Sequence, residues 1–356
     1  MSKTLRIIDT GLRDGRMNIA FDQALIDQHQ AGNIPDTIRF LRFPPTALVG
    51  RHQDLSRELK LDHCRANNIG VARRITGGGA IYFDEGQLGW ELVLHRSTLG
   101  IASLGELASE ICQAAASGLS KLGIAAKYRA PNEIEVDGHK ISGTGGFFDG
   151  DTLFYQGTVL IDMNPAEMMA ALNMAEAVVS EGSPAPEPPR ITTLKALLGD
   201  GLPDLDAIKS AIASGISERF DLPTEPGEIT DEEEAAAQRI FDTEIGTDAF
   251  VADIDNPQSE PDVLVGTAKS LGGNVSAYIR LEGTGKKRIR EIVFTGNFFI
   301  TPPRTVLDLE ARLRRVDVDE LADVIGEFFQ QAEIGLATVG PKDFTEATEA
   351  ALDFVR

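Results

Sequence analysis

Arg73-Arg74-Ile75-Thr76-Gly77-Gly78-Gly79-Ala80-Ile81-Tyr82-Phe83-Asp84 puts two adjacent guanidinium groups directly before three consecutive glycines. Lacking a Cβ, the glycines admit positive φ and let a ligand lie against backbone N–H groups. The arginines supply fixed charge and paired donors suited to carboxylate or phosphate. An apolar stretch follows and ends at Asp84. The pattern predicts a loop that holds an anion beside an apolar pocket. A tight turn between strands with two exposed arginines is the plainer reading of the same residues.

The rest of the chain sharpens the contrast. It has 34 basic and 55 acidic residues and a net charge of −21. Such a chain repels nucleic acid and acidic membrane surfaces, so neither is expected as a partner, whereas a small anion held at one pocket is compatible with it. With 42% hydrophobic and 25% charged residues the composition is that of a soluble globular protein, and the length of 356 residues suggests two domains, or one large domain with an appendage. No apolar run reaches the roughly 18 residues of a membrane span. The start, Met1-Ser2-Lys3-Thr4-Leu5-Arg6, lacks the apolar core of a secretory signal, and a cytoplasmic location is expected. Cys64 and Cys112 are the only cysteines, far apart and without metal-ligand spacing, so no disulfide framework or zinc site is expected.

Outward from the glycines, residues 17–30 read as a helix, Ile38–Phe43 as a strand stopped by Pro44-Pro45, and Ala47–Gly50 as a short buried strand. Leu88, Trp90, Leu92 and Leu94 alternate with less apolar residues, which predicts a strand with one better-buried face. Ser103 and Glu106 form a capping-box signature at the head of a helix. Asp137-Gly138 is a two-residue hairpin turn. Regular register then puts Ile134 and Val136 on one face with His139 and Ile141, and Glu133 and Glu135 on the other with Lys140 and Ser142. Leu153–Asp162 reads as a strand containing Gln156-Gly157-Thr158. Pro184, Pro186, Pro188 and Pro189 predict a stiff loop, and Asp231–Glu234 a solvated first helical turn. From about residue 245 a second unit begins, with a hairpin from Val275 to Phe294, helices at Val306–Arg314 and Asp319–Phe329, and a tail carrying Phe344 and Phe354. Strands and helices mix without a βαβ repeat, so the fold class is α+β: a mixed or antiparallel sheet with flanking helices, plus a small α+β C-terminal domain. The boundary is set at residues 1–243 and 244–356.

A second motif, Asn132-Glu133-Ile134 followed by Gly138-His139-Lys140-Ile141-Ser142-Gly143, places a lysine on the hairpin ahead of a glycine-rich turn. Lys140 either pairs across the strands with Glu135 or points into the pocket of the Gly77–Gly79 loop. Glu133 is either an exposed strand carboxylate or, with Asn132, a pair of hard oxygen ligands for Mg²⁺.

Taken together these pieces resemble the lipoate–protein ligase A family of the biotin/lipoyl ligase fold group. The resemblance rests on Asn18–Ala24, Arg42-Phe43, Gly50-Arg51-His52-Gln53, Arg73–Ala80, Asn132-Glu133-Ile134, Lys140-Ile141-Ser142-Gly143 and Gln156-Gly157-Thr158. Gly272-Gly273, Thr295-Gly296-Asn297-Phe298-Phe299 and the helix around Glu310 resemble the family's accessory domain. Phe83 and Gln156 depart from histidines frequent in the family, and Glu133 from an aspartate.

The resemblance implies an ATP-dependent lipoate–protein ligase. Lipoate attacks the α-phosphate of ATP to give lipoyl-AMP, and a lysine of an acceptor protein then attacks the mixed anhydride. It implies Lys140 as the catalytic cation. Arg73, Arg74, Thr76, Gly77, Gly78, Gly79, Ala80, Asn132, Ser142, Gly143, Gly157 and Thr158 are implied to line the substrate and adenylate. ATP and Mg²⁺ are the implied cofactors, with Asn132 and Glu133 as metal ligands. The acceptor would be a 2-oxoacid dehydrogenase lipoyl domain, a glycine-cleavage H protein or an H-like lipoate-binding protein, and a monomer is expected. An octanoyl or lipoyl transferase, which would use a cysteine nucleophile, and a non-catalytic lipoate-binding module are the rival readings.

Overall fold

The computed structural model describes residues 4–101, 103–173, 190–259, 261–285, 287–335 and 337–353. The prolines at 184–189 and Phe354 lie outside them. The chain forms two compact units. The first comprises Met1–Ala47, Asp62–Ala72 and Tyr82–Thr247; the second comprises Leu48–Leu61, Arg73–Ile81 and Asp248–Arg356. The expected boundary at 243/244 thus has a counterpart at Thr247/Asp248, but two earlier stretches of the chain also belong to the second unit.

The first unit is built on an eight-stranded sheet in the order Thr224–Pro226, Leu5–Leu12, Thr37–Arg42, Gln87–His95, Thr152–Leu160, His139–Asp149, Glu133–Val136, Lys127–Arg129. Leu5–Leu12 runs parallel to both its neighbours, and the remaining pairs are antiparallel. The α+β class with a mixed sheet and flanking helices is therefore the observed one.

Every residue of Gln87–His95 except His95 is buried, so the expectation of one better-buried face fails there. Helices cover both sides. Glu91 lies opposite Gln156 in register, and Tyr155 is the next residue along that strand, so Glu91 and Tyr155 point to opposite faces. Helix Gly15–Gln30 meets the Glu91 face through Asp22, and helix Leu104–Ser120 meets the other through Cys112. The helix starts follow from sequence: Asp14 and Ser103 cap the first turns with their side chains. Gly118 and Gly215 let helix Leu104–Ser120 touch helix Leu205–Phe220 backbone to backbone. A Cβ on Gly118 would lie 2.1 Å from the Ala211 carbonyl oxygen.

The acidic run Asp231–Glu234 opens a helix, as expected, but half of it is bound rather than solvated. Glu233 is fully buried, caps Thr230 and forms an ion pair with Arg6, while Glu234 pairs with Arg13. Burial alone would raise the Glu233 carboxyl, but the bonds from Arg6 and Thr230 outweigh it and hold it below the ordinary range.

The second unit carries a three-stranded antiparallel sheet, Leu264–Ser270, Gly273–Glu282 and Arg288–Gly296, so the expected hairpin has a third strand before it. Helices Arg304–Leu313, Leu321–Gln331 and Pro341–Leu352 complete a core that includes Val275, Ile279, Phe294, Phe298, Val306, Leu309, Ile325 and Phe344.

Candidate functional site

The sequence-derived site residues divide between the two units. Lys140, Asn132, Glu133, Ser142, Gly143, Gly157 and Thr158 belong to the first. Arg73, Arg74, Thr76, Gly77, Gly78, Gly79 and Ala80 belong to the second.

In the first unit the Asp137-Gly138 turn forms, with positive φ at both residues, and pairs Val136 with His139 and Glu135 with Lys140 as expected. The register then shifts: Ile134 faces Ser142 and Glu133 faces Gly143, leaving Ile141 as the extra residue of a bulge. Ser142 therefore joins Ile134 on the buried side, and the expected pairing of Ile134 with Ile141 is not made.

This shift decides the charges. The Lys140 ammonium lies 3.0 Å from Glu133 Oε1 rather than on Glu135, whose carboxylate is 3.5 Å from Arg129 Nη1. The Gly143 N–H donates to Thr158 Oγ1 at 3.2 Å, so Lys140, Glu133, Gly143 and Thr158 form one group. Asn132 is held by Thr144: the Thr144 N–H and hydroxyl donate to the Asn132 carbonyl at 2.9 and 3.1 Å, and Asn132 Nδ2 donates to the Thr144 carbonyl at 2.8 Å. With its NH₂ engaged, Asn132 is left with Oδ1, an acceptor.

Thr144 in turn bonds Tyr155 Oη at 2.7 Å, and Cys112 Sγ lies 3.2 and 3.3 Å from these two hydroxyls. The Thr144 anchor was missed in the sequence, although its place two residues beyond Ser142 in the same strand was a usable signal. Gly157 lies under Trp90: a Cβ there would be 2.3 Å from the indole Cζ2, so packing alone requires glycine.

For Mg²⁺, Asn132 and Glu133 are a poor fit. The Glu133 carboxylate is neutralised by Lys140 and has Arg129 3.9 Å away, leaving a neutral amide oxygen as the second ligand. Among the described residues no group of three or more His, Cys, Asp or Glu side chains is arranged to hold a metal ion.

In the second unit both arginines are buried, not exposed as in a simple turn. Arg73 donates to five backbone carbonyls: Nε to Val251 (3.0 Å), Nη1 to Gly50 (3.1 Å), Arg51 (3.2 Å) and Gln53 (2.7 Å), and Nη2 to Ile254 (2.8 Å). Burial, and then the neighbouring Arg51 charge, bring its pKa down to about 10. Arg74 binds the loop itself: Nη2 donates to the carbonyls of Gly77 (3.2 Å) and Gly79 (2.8 Å), and Nη1 to Leu48 (3.4 Å). Its pKa is also lowered to about 10, by burial, and among the described residues no carboxylate pairs with it. A buried cation with only neutral partners is an electrostatic deficit that an anion would relieve.

Thr76 carries its hydroxyl 3.4 Å from Arg74 Nε, and its carbonyl accepts from the Arg51 N–H at 2.8 Å. Gly78 has φ of +94° and its N–H donates to the Phe298 carbonyl at 2.9 Å. A Cβ on Gly78 would lie 2.6 Å from the Phe299 ring and one on Gly77 2.8 Å from the Phe298 carbonyl oxygen. The segment Asn297–Phe299 thus lies on the glycine loop, and His52, whose pKa burial and the nearby arginines lower to about 3, stacks on Phe298 with ring centroids 5.5 Å apart. Ala80, partly buried, closes the loop.

The family model described as lipoyl protein ligase A/B catalytic domain matches residues 14–217. An octanoyltransferase LipM of Symbiobacterium thermophilum is 28% identical over 70% of this chain and 98% of its own length. A lipoate-protein ligase A subunit 1 of Thermoplasma acidophilum is 25% identical over 66% of this chain and 91% of its own.

Among solved structures, P. falciparum LipL1 in complex with lipoate superposes with a TM-score of 0.72 at 14% identity, covering 99% of both chains. A lipoate-protein ligase A bound with ATP gives 0.61 at 23% identity over 71% of this chain and all (100%) of its own. A bipartite T. acidophilum ligase described together with its E2 lipoyl domain gives 0.60 at 22% identity, over 70% of this chain and 97% of its own. At these identities the structures speak for the fold.

Proposed function

We propose, from the premise that this chain belongs to the lipoyl protein ligase A/B catalytic family, that within this family of ligases and acyltransferases it is an ATP-dependent lipoate–protein ligase. The observation that carries this choice is the state of the thiols. Cys64 and Cys112 are the only cysteines in the sequence, and both are fully buried. Burial pushes both thiols up from their ordinary pKa; for Cys112 the bonds to Thr144 and Tyr155 act the other way and do not reverse it. An acyl transfer through a thioester needs an accessible thiolate, and neither residue supplies one. The adenylate route needs cations instead. Arg74 is buried with no carboxylate partner among the described residues, and Lys140 is held beside Glu133 and Gly143.

In this reading the carboxylate of lipoate or octanoate attacks the α-phosphate of ATP and pyrophosphate leaves. An acceptor lysine then attacks the acyl-AMP carbonyl and AMP leaves. Both steps build charge on oxygen, which preorganised cations stabilise. Lys140 takes the α-phosphate and acyl carbonyl. On the first unit, Ser142, Gly143, Gly157 and Thr158 are assigned to the acyl-adenylate, and Asn132 Oδ1 accepts a hydrogen bond from it; on the second unit, the Arg73–Ala80 loop is assigned to an anionic group of the substrate. Magnesium would arrive with the nucleotide rather than on Glu133. The acceptor is a lipoyl-domain protein, a glycine-cleavage H protein or an H-like lipoate-binding protein, and the enzyme acts as a monomer in the cytoplasm. No helix among the described residues is long and apolar enough to cross a membrane.

The second reading, an octanoyltransferase, is favoured by the relatives that carry that name. The two readings part in one assay: pyrophosphate release with ATP and lipoate, against acyl transfer from an octanoylated protein without ATP. ATP-dependent pyrophosphate release supports the ligase. Transfer without ATP, with a thioester trapped on either cysteine, overturns it.

A further inference from the structure

The side chain of Lys140 does not take the position its strand register offers. Its direct cross-strand neighbour is Glu135, yet its ammonium sits 3.0 Å from Glu133 Oε1, two residues further along. Three features put it there. The bulge at Ile141 brings Gly143 opposite Glu133. Gly143 leaves the space open: a Cβ built on it would lie 2.9 Å from both Cε and Nζ of Lys140, so the end of the lysine would have to move away. The backbone on either side is pinned, with the Lys140 N–H donating to the Arg190 carbonyl at 2.7 Å, the Thr192 N–H donating to the Lys140 carbonyl at 2.9 Å, and the Gly143 N–H bonded to Thr158. The lysine side chain thus lies along its own strand with its charged end over Gly143.

We infer that Gly143 and Glu133 are positioning residues for Lys140: Gly143 is the seat of the ammonium, and Glu133 is its resting counter-ion, released when an anionic group of the substrate takes its place. The inference rests on the reading of Lys140 as the cation at the α-phosphate. It gives Gly143 a role toward the lysine as well as toward the ligand, and Glu133 a role toward the lysine instead of toward a metal. A Cβ at 143 would push the flexible end of the lysine aside, because the ammonium occupies the volume of that side chain.

The test is a double-mutant cycle on the full chain, with ATP- and lipoate-dependent pyrophosphate release as the readout. Displacing a catalytic group by about 1 Å lowers the rate by on the order of 10²-fold. Gly143→Ala is therefore expected to lower kcat by about 10- to 100-fold with KM for lipoate nearly unchanged, and to have under about a twofold effect in the Lys140→Ala background, since the two positions act as one unit. Glu133→Gln, which keeps the shape and carries little risk to folding, is expected to lower kcat by about 3- to 10-fold, again only when Lys140 is present. Equal losses in both backgrounds overturn the inference while leaving Lys140 as the catalytic cation. A Glu133→Gln enzyme whose defect is a raised KM for Mg·ATP, persisting without Lys140, also overturns it and makes Glu133 a metal ligand. Wild-type pyrophosphate release by Lys140→Ala removes the reading of Lys140 and the inference together.

Discussion

Ending the chain at Thr243 would remove the partners that the glycine loop uses. The second unit takes in Leu48–Leu61 and Arg73–Ile81 together with Asp248–Arg356. Truncation deletes the Val251 and Ile254 carbonyls, the acceptors of Arg73 Nε and Nη2 among the described residues. Hydrogen bonds from a charged group are worth about 1.5–3 kcal/mol each, so two of them amount to about 3–6 kcal/mol. The Gly78 N–H loses Phe298, the Leu55 N–H loses Ile254, and His52 loses the Phe298 ring; neutral bonds add roughly 1 kcal/mol apiece. Water admitted to the opened surface returns part of this, so the sum is an upper bound. It is nonetheless comparable with the whole stability of a domain, about 5–15 kcal/mol. The truncated chain is therefore expected to aggregate, or to keep its eight-stranded sheet with the Arg73–Ile81 loop unfolded and no lipoyl-AMP binding. Size-exclusion chromatography and hydrogen exchange over residues 73–81 measure this. A monodisperse truncation with protected loop amides and intact lipoyl-AMP binding would refute the dependence of the loop on Val251, Ile254 and Phe298.

Three further outcomes follow from single sites. Replacing Cys64 and Cys112 together by serine should leave ATP-dependent ligation within a few-fold of wild type, as measured by the mass shift of an acceptor; loss of transfer by a folded double variant would count against the adenylate route. Glu91 and Asp22 share one guanidinium, with Arg39 Nη1 3.0 and 2.6 Å from them, and burial, followed by the Asp22 charge, raises the Glu91 carboxyl well above its ordinary pKa. A raised folded-state value gives stability that is complete below the unfolded pKa, about 4.3, and is lost as pH rises through the folded one. Glu91→Gln should then flatten the decline, so that urea denaturation at pH 5 and pH 8 shows wild type losing more than the variant; equal losses would disprove the raised Glu91 carboxyl. Gly157→Ala, with its Cβ 2.3 Å from Trp90 Cζ2, should destabilise the protein by about 1–3 kcal/mol, and an unchanged urea midpoint would show that Trp90 can move aside.

What was legible in the sequence is what side chains announce. Ser103 capped its helix, Asp137-Gly138 made its turn, and the mixture of strands and helices gave the α+β class. The order of the Lys140 motif placed its residues on paired strands. The bulge at Ile141 was not legible, because one extra residue in a strand leaves the apolar pattern intact on both sides of it. It was decisive all the same, moving Lys140 from Glu135 to Glu133. The solvated reading of Asp231–Glu234 missed the capping box of Thr230 with Glu233, a signal present in the residues, and the Arg6 partner, which lies more than two hundred residues earlier.

The discontinuity of the second unit was illegible for a stricter reason. Arg73 reaches Val251 and Ile254 through their backbone carbonyls. Every residue has such a carbonyl, so no residue type could mark those positions as partners of an arginine. The same holds for the contact of Phe298 with Gly78, made through a carbonyl on one side and an N–H on the other. Two of the three glycines read as a ligand cradle are therefore required whatever else binds there. Gly77 must admit the Phe298 carbonyl, and Gly78 must admit the Phe299 ring and hold a φ of +94° that a residue with a Cβ rarely adopts, whereas a Cβ on Gly79 would meet only the Asn297 Cβ, at 3.9 Å. A substitution at Gly78 that abolishes activity would accordingly report on the seating of Phe299 as much as on a ligand. Arg74, buried against neutral carbonyls with no carboxylate beside it among the described residues, separates the two, because packing gives no reason to bury a charge without its counter-ion.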